Sequence, residues 1–373
     1  MPIRCIFPPA LCLCAFATLC RSSHNPRKHN GVKINTMKLL ITGGAGFIGS
    51  NFIHYMLTEY PDIQIVNFDA LTYAGNLENL GQVERNPRYT FVKGDITVEA
   101  DVTAVFQAHA VDAVVHFAAE SHVDRSLHLG PEAFIRTNIL GTQRLLDAAR
   151  AHRVRRFVHV STDEVYGSLE AEGRFMETSP IQPNNPYAAT KAGSDFMVRA
   201  AHRSHGLDAV ITRCSNNFGP YQFPEKLIPL MIANALENKP LPVYGDGRQV
   251  RDWIYVRDHC RGIDCVLRQG KTGEVYNIGG MHDIPNLEVV RLVLKLLNKP
   301  PSLIQHVTDR PGHDRRYAID STKIETELGW RRQFDFETAL RATVDWYLQN
   351  RAWWERIRSG EYQKYYTAMY GKR

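Results

Sequence analysis

Short apolar runs rich in strand formers alternate with amphipathic stretches of helical period through the first half of the chain. Residues 38–42, 63–69, 89–93, 113–117, 156–161 and 209–214 read as strands. Residues 50–59, 98–109, 131–152 and 187–205 read as helices, and 287–297 repeats the helical pattern later. Strict alternation of this kind predicts an α/β fold with a doubly wound parallel sheet. Right-handed crossovers then place a ligand groove at the strands' carboxyl ends, where Asp95, Ala118-Ala119-Glu120-Ser121 and Ser161-Thr162 fall. The pattern predicts a first body over 37–215, to which the chain returns near 250–267. A smaller C-terminal lobe takes most of 216–373.

Composition agrees with a globular chain. Of 373 residues, 44% are hydrophobic and 23% charged, which argues against disorder or coiled coil. The net charge of +6 is concentrated at one end. Residues 1–36 hold five basic side chains (Arg4, Arg21, Arg27, Lys28, Lys33) and no acid, so the remainder has 40 basic against 39 acidic. A nearly neutral body gives no footing for a large nucleic-acid face. Four of the seven cysteines (Cys5, Cys12, Cys14, Cys20) also lie in this opening stretch, leaving Cys214, Cys260 and Cys265 for the rest. Three scattered cysteines are no disulfide framework, so a reducing, cytoplasmic setting is expected. The run from Cys5 to Cys20, broken by Pro8-Pro9, is too short to span a bilayer. It reads either as a leader, with Met37 as the working start, or as a targeting signal.

The first strand runs into Gly43-Gly44-Ala45-Gly46-Phe47-Ile48-Gly49 and then a helix. That is a Rossmann-type pyrophosphate turn. Gly43 permits the bend, Gly46 lets the backbone approach phosphate, and Gly49 lets the helix pack close. Free N–H groups at the helix start favour an anion. The second strand ends at Asp69, 20 residues after Gly49. A carboxylate there accepts from ribose hydroxyls and repels a 2′-phosphate, so NAD is expected rather than NADP.

Two segments supply chemistry. Tyr187-Ala-Ala-Thr-Lys191 opens a helix, and i,i+4 spacing puts phenol and ammonium on one face. A free tyrosine has a pKa of about 10; a nearby cation is expected to lower it and make a usable base. Lys191 can also hold a nicotinamide ribose. Ser161-Thr162-Asp163-Glu164 sits where a strand ends, so its polar groups face the groove. Thr162 can bond the hydroxyl that Tyr187 deprotonates. Two adjacent carboxyls exceed what hydride transfer needs. They suit an elimination, with one acid protonated for the leaving hydroxyl and the other ionised as base.

Together these residues resemble the extended short-chain dehydrogenase/reductases, and among them the dTDP-glucose 4,6-dehydratase family. The resemblance covers essentially 37–373. It rests on TGGAGFIG (42–49), DALTYAGN (69–76), AAESHVDRS (118–126), STDEVYG (161–167), YAATK (187–191), SNNFGPYQFPEKLIP (215–229) and RPGHDRRYAID (310–320). The stretch from Gly167 to Tyr187 is shorter than in some members. The resemblance implies a C-terminal nucleotide-sugar-binding lobe and a tightly bound NAD regenerated at each turnover. It implies oxidation at C4 through Tyr187 and Thr162, proton removal from C5 by Glu164 and protonation of the C6 hydroxyl by Asp163. Implied cofactor residues are Gly43, Gly46, Phe47, Ile48, Gly49, Asp69, Thr72, Asp95, Ile96, Ala118, Ala119, Thr137, Tyr187, Lys191 and Asn217. Implied substrate residues are Ser121, Thr162, Asn216, Lys226, Leu227, Pro242, Tyr244, Arg251, Asn286, Arg310 and His313. Arg125, Arg315 and Arg316 are left without a role. The resemblance also implies a homodimer through the helices around 131–152 and 187–205.

The alternatives are a UDP-glucose 4,6-dehydratase, a sugar epimerase, or a silent NAD-binding protein. The Asp163-Glu164 pair argues against the second, and the intact Tyr187, Lys191, Asp163 and Glu164 against the third. The 15 histidines show no metal-ligand spacing, so no metal is expected. The aromatic tail from Trp346-Tyr347 through Trp353-Trp354 to Tyr365-Tyr366 has helical spacing, which predicts packing rather than base stacking.

Overall fold

The computed structural model describes residues 37–128, 130–309 and 313–359. The N-terminal 36 residues, Arg310 and the tail beyond 359, with Tyr365 and Tyr366, lie outside the described residues. Its strands are β1 (Lys38–Thr42), β2 (Gln64–Asp69), β3 (Tyr89–Lys93), β4 (Ala113–His116), β5 (Arg156–Thr162) and β6 (Ala209–Cys214). Six more follow: β7 (Asn216–Phe218), β8 (Leu241–Tyr244), β9 (Val250–Tyr255), β10 (Val275–Ile278), β11 (Asp283–Pro285) and β12 (Ile304–Val307).

Seven strands form the main sheet in the order β10-β6-β5-β4-β1-β2-β3, and every pairing is parallel. The order reverses between β1 and β4, which opens a crevice at their carboxyl ends. Both faces of the sheet are covered, so the central strands are mostly apolar and buried. Leu39 and Ile41 of β1 join Phe52 and Ile53 on one side. Leu40 points to the other side, with Val66, Val114, Val105 and Leu145. Alternation along an extended strand accounts for the split. The helix Val256–Gln269 packs against Phe47–Glu59 on the first face. The return to the sheet therefore runs from Val256 to the end of β10, later than residues 250–267, because β10 pairs with β6.

Three local differences from the sequence pattern have clear causes. The first helix starts at Phe47, because Gly46 already has the extended backbone of a capping position. β5 runs to Thr162, whose backbone is still extended before the turn at Asp163. Residues 131–152 are broken by a π-helical turn over Ile135–Gly141. That turn presents Asn138, whose side chain accepts from the Glu120 N–H at 2.9 Å and donates to Thr190 Oγ1 at 2.9 Å. The wide turn thus ties the crevice loop to the long helix Pro186–His205. Asn185 caps that helix by accepting from the Ala188 N–H (2.9 Å), and Pro186 occupies its first turn.

The lobe carries a three-stranded sheet, β11-β9-β7, and the pair β12-β8. Helices Leu227–Leu236, Asn286–Leu296 and Phe336–Gln349 pack around them. Tyr221 and Trp353 meet Trp346 edge-on, and Trp353 Nε1 donates to Asn79 Oδ1 at 2.9 Å. The described part of the aromatic tail is packed, with Trp354 fully buried.

Candidate active site

At the end of β1 the chain turns at Gly43 with φ +70°, and a Cβ there would lie 2.6 Å from the Ala118 nitrogen. A Cβ on Gly49 would lie 2.4 Å from the Gly43 carbonyl oxygen. Only glycine fits at either position. No side chain caps the start of helix Phe47–Glu59, so its first N–H groups and dipole remain available to an anion. Asp69 closes β2. Its two oxygens accept from the Ala45 N–H (2.9 Å) and the Leu71 N–H (2.8 Å). Burial raises its pKa, and these two bonds oppose the rise. A cavity of about 620 Å³ is lined by Gly43, Gly46, Asp69, Thr72, Asp95, Ile96, Ala118, Ala119 and Thr137. The uncapped amides, the acid and the close-packed glycines fit a dinucleotide.

A chamber of about 1210 Å³ shares Gly46 and Ala119 with that cavity. Its walls include Phe47, Ile48, Gly49, Ser121, Thr162, Asp163, Glu164, Tyr187, Lys191, Asn216, Asn217 and Lys226. Thr162 Oγ1 accepts from the Glu164 N–H (3.3 Å) and starts a 3₁₀ turn that swings both carboxyls over the chamber. Asp163 is only 2% exposed, and its Oδ2 has no hydrogen-bond partner. Burial drives its pKa well above the carboxylate range, and Glu164 and Asp252 add to the rise. Its surroundings therefore favour the protonated form. Glu164 Oε2 accepts from Asn185 Nδ2 at 3.3 Å.

The Tyr187–Lys191 pair differs from the sequence expectation. Burial pushes the Tyr187 phenol well above its ordinary value, Glu164 and Cys214 push it further, and only a bond with Thr162 opposes them. The Lys191 ammonium, one turn along the helix, bonds a carbonyl of the neighbouring strand. Lys191 Nζ donates to the Val160 carbonyl at 2.9 Å and lies 3.4 Å from His159 Nε2. Burial pulls Lys191 down to about 8, partly offset by Asp195 and Cys214.

A third cavity, of about 900 Å³, shares Glu164, Asn216 and Lys226 with the chamber and leads into the lobe. Leu227, Pro242, Tyr244, Arg251, Asn286 and His313 line it. Arg251 is buried; it donates to the carbonyls of Val250 (2.8 Å) and Asp314 (3.0 Å), and its guanidinium lies 4.3 Å over the Tyr317 ring. His313 Nδ1 is 2.6 Å from Asp309 Oδ1. Buried Asn286 Oδ1 has no hydrogen-bond partner. Lys226 Nζ donates to the Ser121 carbonyl at 3.3 Å.

The cavities also recruit residues that no motif or spacing singles out. His122 and Glu225 are 103 positions apart, yet they meet at 3.6 Å with both side chains buried. Burial pushes Glu225 up to about 7. The Arg125 guanidinium lies 4.1 Å over the Tyr73 ring in the chamber wall. No spacing rule joins such distant positions. Arg315 and Arg316 instead pair with Asp246 and Asp283, each at 3.1 Å. Among the described residues no helix is long and apolar enough to cross a membrane, and no cluster of His, Cys, Asp or Glu could hold a metal ion.

The chain's likenesses agree with this geometry. The family described as GDP-mannose 4,6 dehydratase matches residues 40–343. A dTDP-glucose 4,6-dehydratase of Xanthomonas campestris pv. campestris (strain B100) is 54% identical over 342 residues, covering 87% of this chain and 97% of that protein. The crystal structure of DesIV, a dTDP-glucose 4,6-dehydratase from Streptomyces venezuelae with NAD and TYD bound, superposes with a TM-score of 0.83. It is 52% identical and covers 86% of this chain and 100% of its own. A UDP-glucose 4-epimerase of Thermotoga maritima, solved with UDP-glucose, shares the fold at a TM-score of 0.78 and 28% identity, covering 84% of this chain and 99% of its own.

Proposed function

This chain belongs to the dTDP-glucose 4,6-dehydratase family, and on that premise we propose that its three linked cavities hold NAD, the glucosyl group and the thymidine diphosphate in turn. It is an NAD-dependent hydro-lyase that converts dTDP-glucose to dTDP-4-keto-6-deoxyglucose. NAD, when bound, supplies a reversible hydride acceptor beside the sugar. The protein's own groups do the rest. Tyr187, helped by Thr162, takes the proton of the 4-hydroxyl. Lys191 holds the nicotinamide ribose. Glu164 removes the C5 proton that the new ketone has made acidic, and Asp163 delivers its proton to the C6 hydroxyl, which departs as water; C6 then takes back the hydride removed from C4 and C5 regains a proton. In the lobe, Arg251 and His313 hold the diphosphate, with Lys226 at the boundary, while Pro242 and Tyr244 face the base.

One observation carries the elimination step: a buried Asp163 with an unpartnered oxygen, its pKa pushed up by burial, stands beside Glu164 on the chamber wall. Incubation of the purified enzyme with dTDP-glucose should yield the alkaline absorbance of a 4-keto sugar, with little from UDP-glucose. No product from dTDP-glucose, or faster turnover of UDP-glucose, would overturn the substrate. The reading also includes a homodimer through the helices that expose Ile135 (48%), Leu140 (39%) and Phe196 (54%). A purely monomeric species in sedimentation would remove it. Cys214, Cys260 and Cys265 are free thiols, which suits a cytoplasmic enzyme.

A further inference from the structure

Behind Lys191, away from the chamber, lies a buried polar chain that the reaction scheme does not use. His159 Nε2 lies 3.4 Å from Lys191 Nζ, 3.0 Å from Ser194 Oγ and 3.5 Å from Asp195 Oδ1. Asp195 is 2% exposed, and its Oδ1 has no hydrogen-bond partner. Its Oδ2 accepts from Arg213 Nε at 2.9 Å. Arg213 Nη1 donates to the Tyr166 hydroxyl at 2.9 Å, which donates to Asn277 Oδ1 at 2.8 Å.

The partners assign the histidine's proton. Ser194 spends its hydroxyl hydrogen on the Lys191 carbonyl (2.7 Å), so its oxygen accepts from His159 Nε2–H. The Asp195 oxygen lies on the same side, and Nδ1 has no partner. With Nε2 carrying the proton, Lys191 cannot donate to it. Its ammonium keeps the Val160 carbonyl as acceptor and turns its other donors to the chamber.

The groups facing Lys191 are few. They are His116 from β4, His159 from β5, Cys214 and the more distant Arg213 from β6, and Tyr187 and Asp195 from its own helix. Both histidines are held neutral by burial. Asp195 is the carboxylate in this set, and a charge buried this deeply needs one.

We propose that Asp195 is a positioning residue for Lys191: one turn along the same helix, beside the neutral His159 imidazole and counterbalanced by Arg213, its charge holds the lysine as a cation aimed at the cofactor. The inference rests on the reading that Lys191 serves the nicotinamide ribose. Two readouts test it on the full-length enzyme: the pH profile of NAD reduction in a single turnover with dTDP-glucose, and the NAD retained after dialysis. Loss of the acid in Asp195→Asn should move the alkaline limb down by about one pH unit, so the rate at pH 8 falls about fourfold more than at pH 6.5. NAD retention should fall severalfold. Asp195→Glu, which keeps the charge, should restore the limb. Should Asp195→Asn not fold, Arg213→Gln decides: freeing the carboxylate should shift the limb the opposite way. Profiles parallel to wild type in the variants, with wild type active, sink this inference alone. A wild type that makes no keto sugar, with its NAD retention still dependent on Asp195, sinks the reading of the reaction instead.

Discussion

Asp69 ends β2 and Asp163 directly follows β5, and both are buried, yet their surroundings prepare them for opposite tasks. At the adenosine end, two backbone N–H groups bond Asp69 before any ligand arrives. In the chamber, one Asp163 oxygen has no partner and two further carboxyls press on it. An acid already bonded by two amides suits binding; one with a free oxygen and a raised pKa suits giving up a proton.

The contrast breaks most sharply in the chamber. Asp163→Asn/Glu164→Gln should cut keto-sugar formation by roughly 10²–10⁴-fold, while single-turnover absorbance still shows NAD reduced by substrate. Equal loss of both steps would mean that the two acids are not specific to elimination. Tyr187→Phe should slow the first hydride transfer, by about 10²-fold or more, and a wild-type rate of NAD reduction there would remove Tyr187 as base.

At the binding end the effect should be on affinity and stability. Gly49→Ala drives a Cβ to 2.4 Å from the Gly43 oxygen. It should cost about 1–3 kcal/mol of stability, read by thermal unfolding, and weaken NAD retention. Unchanged melting would show that the turn has slack.

The smallest effect concerns Asp252, a fully buried acid that acts on Asp163 from the lobe side. Burial raises its pKa to about 6, so the folded value exceeds the unfolded one. Stability linked to this group is full below pH 4 or so and drains as pH rises through about 6. Asp252→Asn should therefore melt higher than wild type at pH 8, by on the order of 1–2 kcal/mol, with the gain shrinking at pH 5. A gain of equal size at both pH values would assign it to packing.

Much of this was legible along the chain because it depends on neighbours in sequence. Alternating strand and helix periods specify a parallel sheet, and three glycines at fixed spacing with Asp69 in the next strand specify the cofactor turn. An i,i+4 pair and two adjacent carboxyls likewise declare themselves. Such signals survive because the backbone itself sets the distances.

Tertiary structure decided the rest. The Tyr187 phenol is pushed up and not down because burial outweighs its helix spacing from Lys191, whose ammonium bonds the Val160 carbonyl of β5. His122 meets Glu225, and Arg213 meets Asp195, only after strands and helices have crossed. Charge states in this chamber follow from depth of burial and from groups far off in the chain, and neither quantity has a period or a spacing to read.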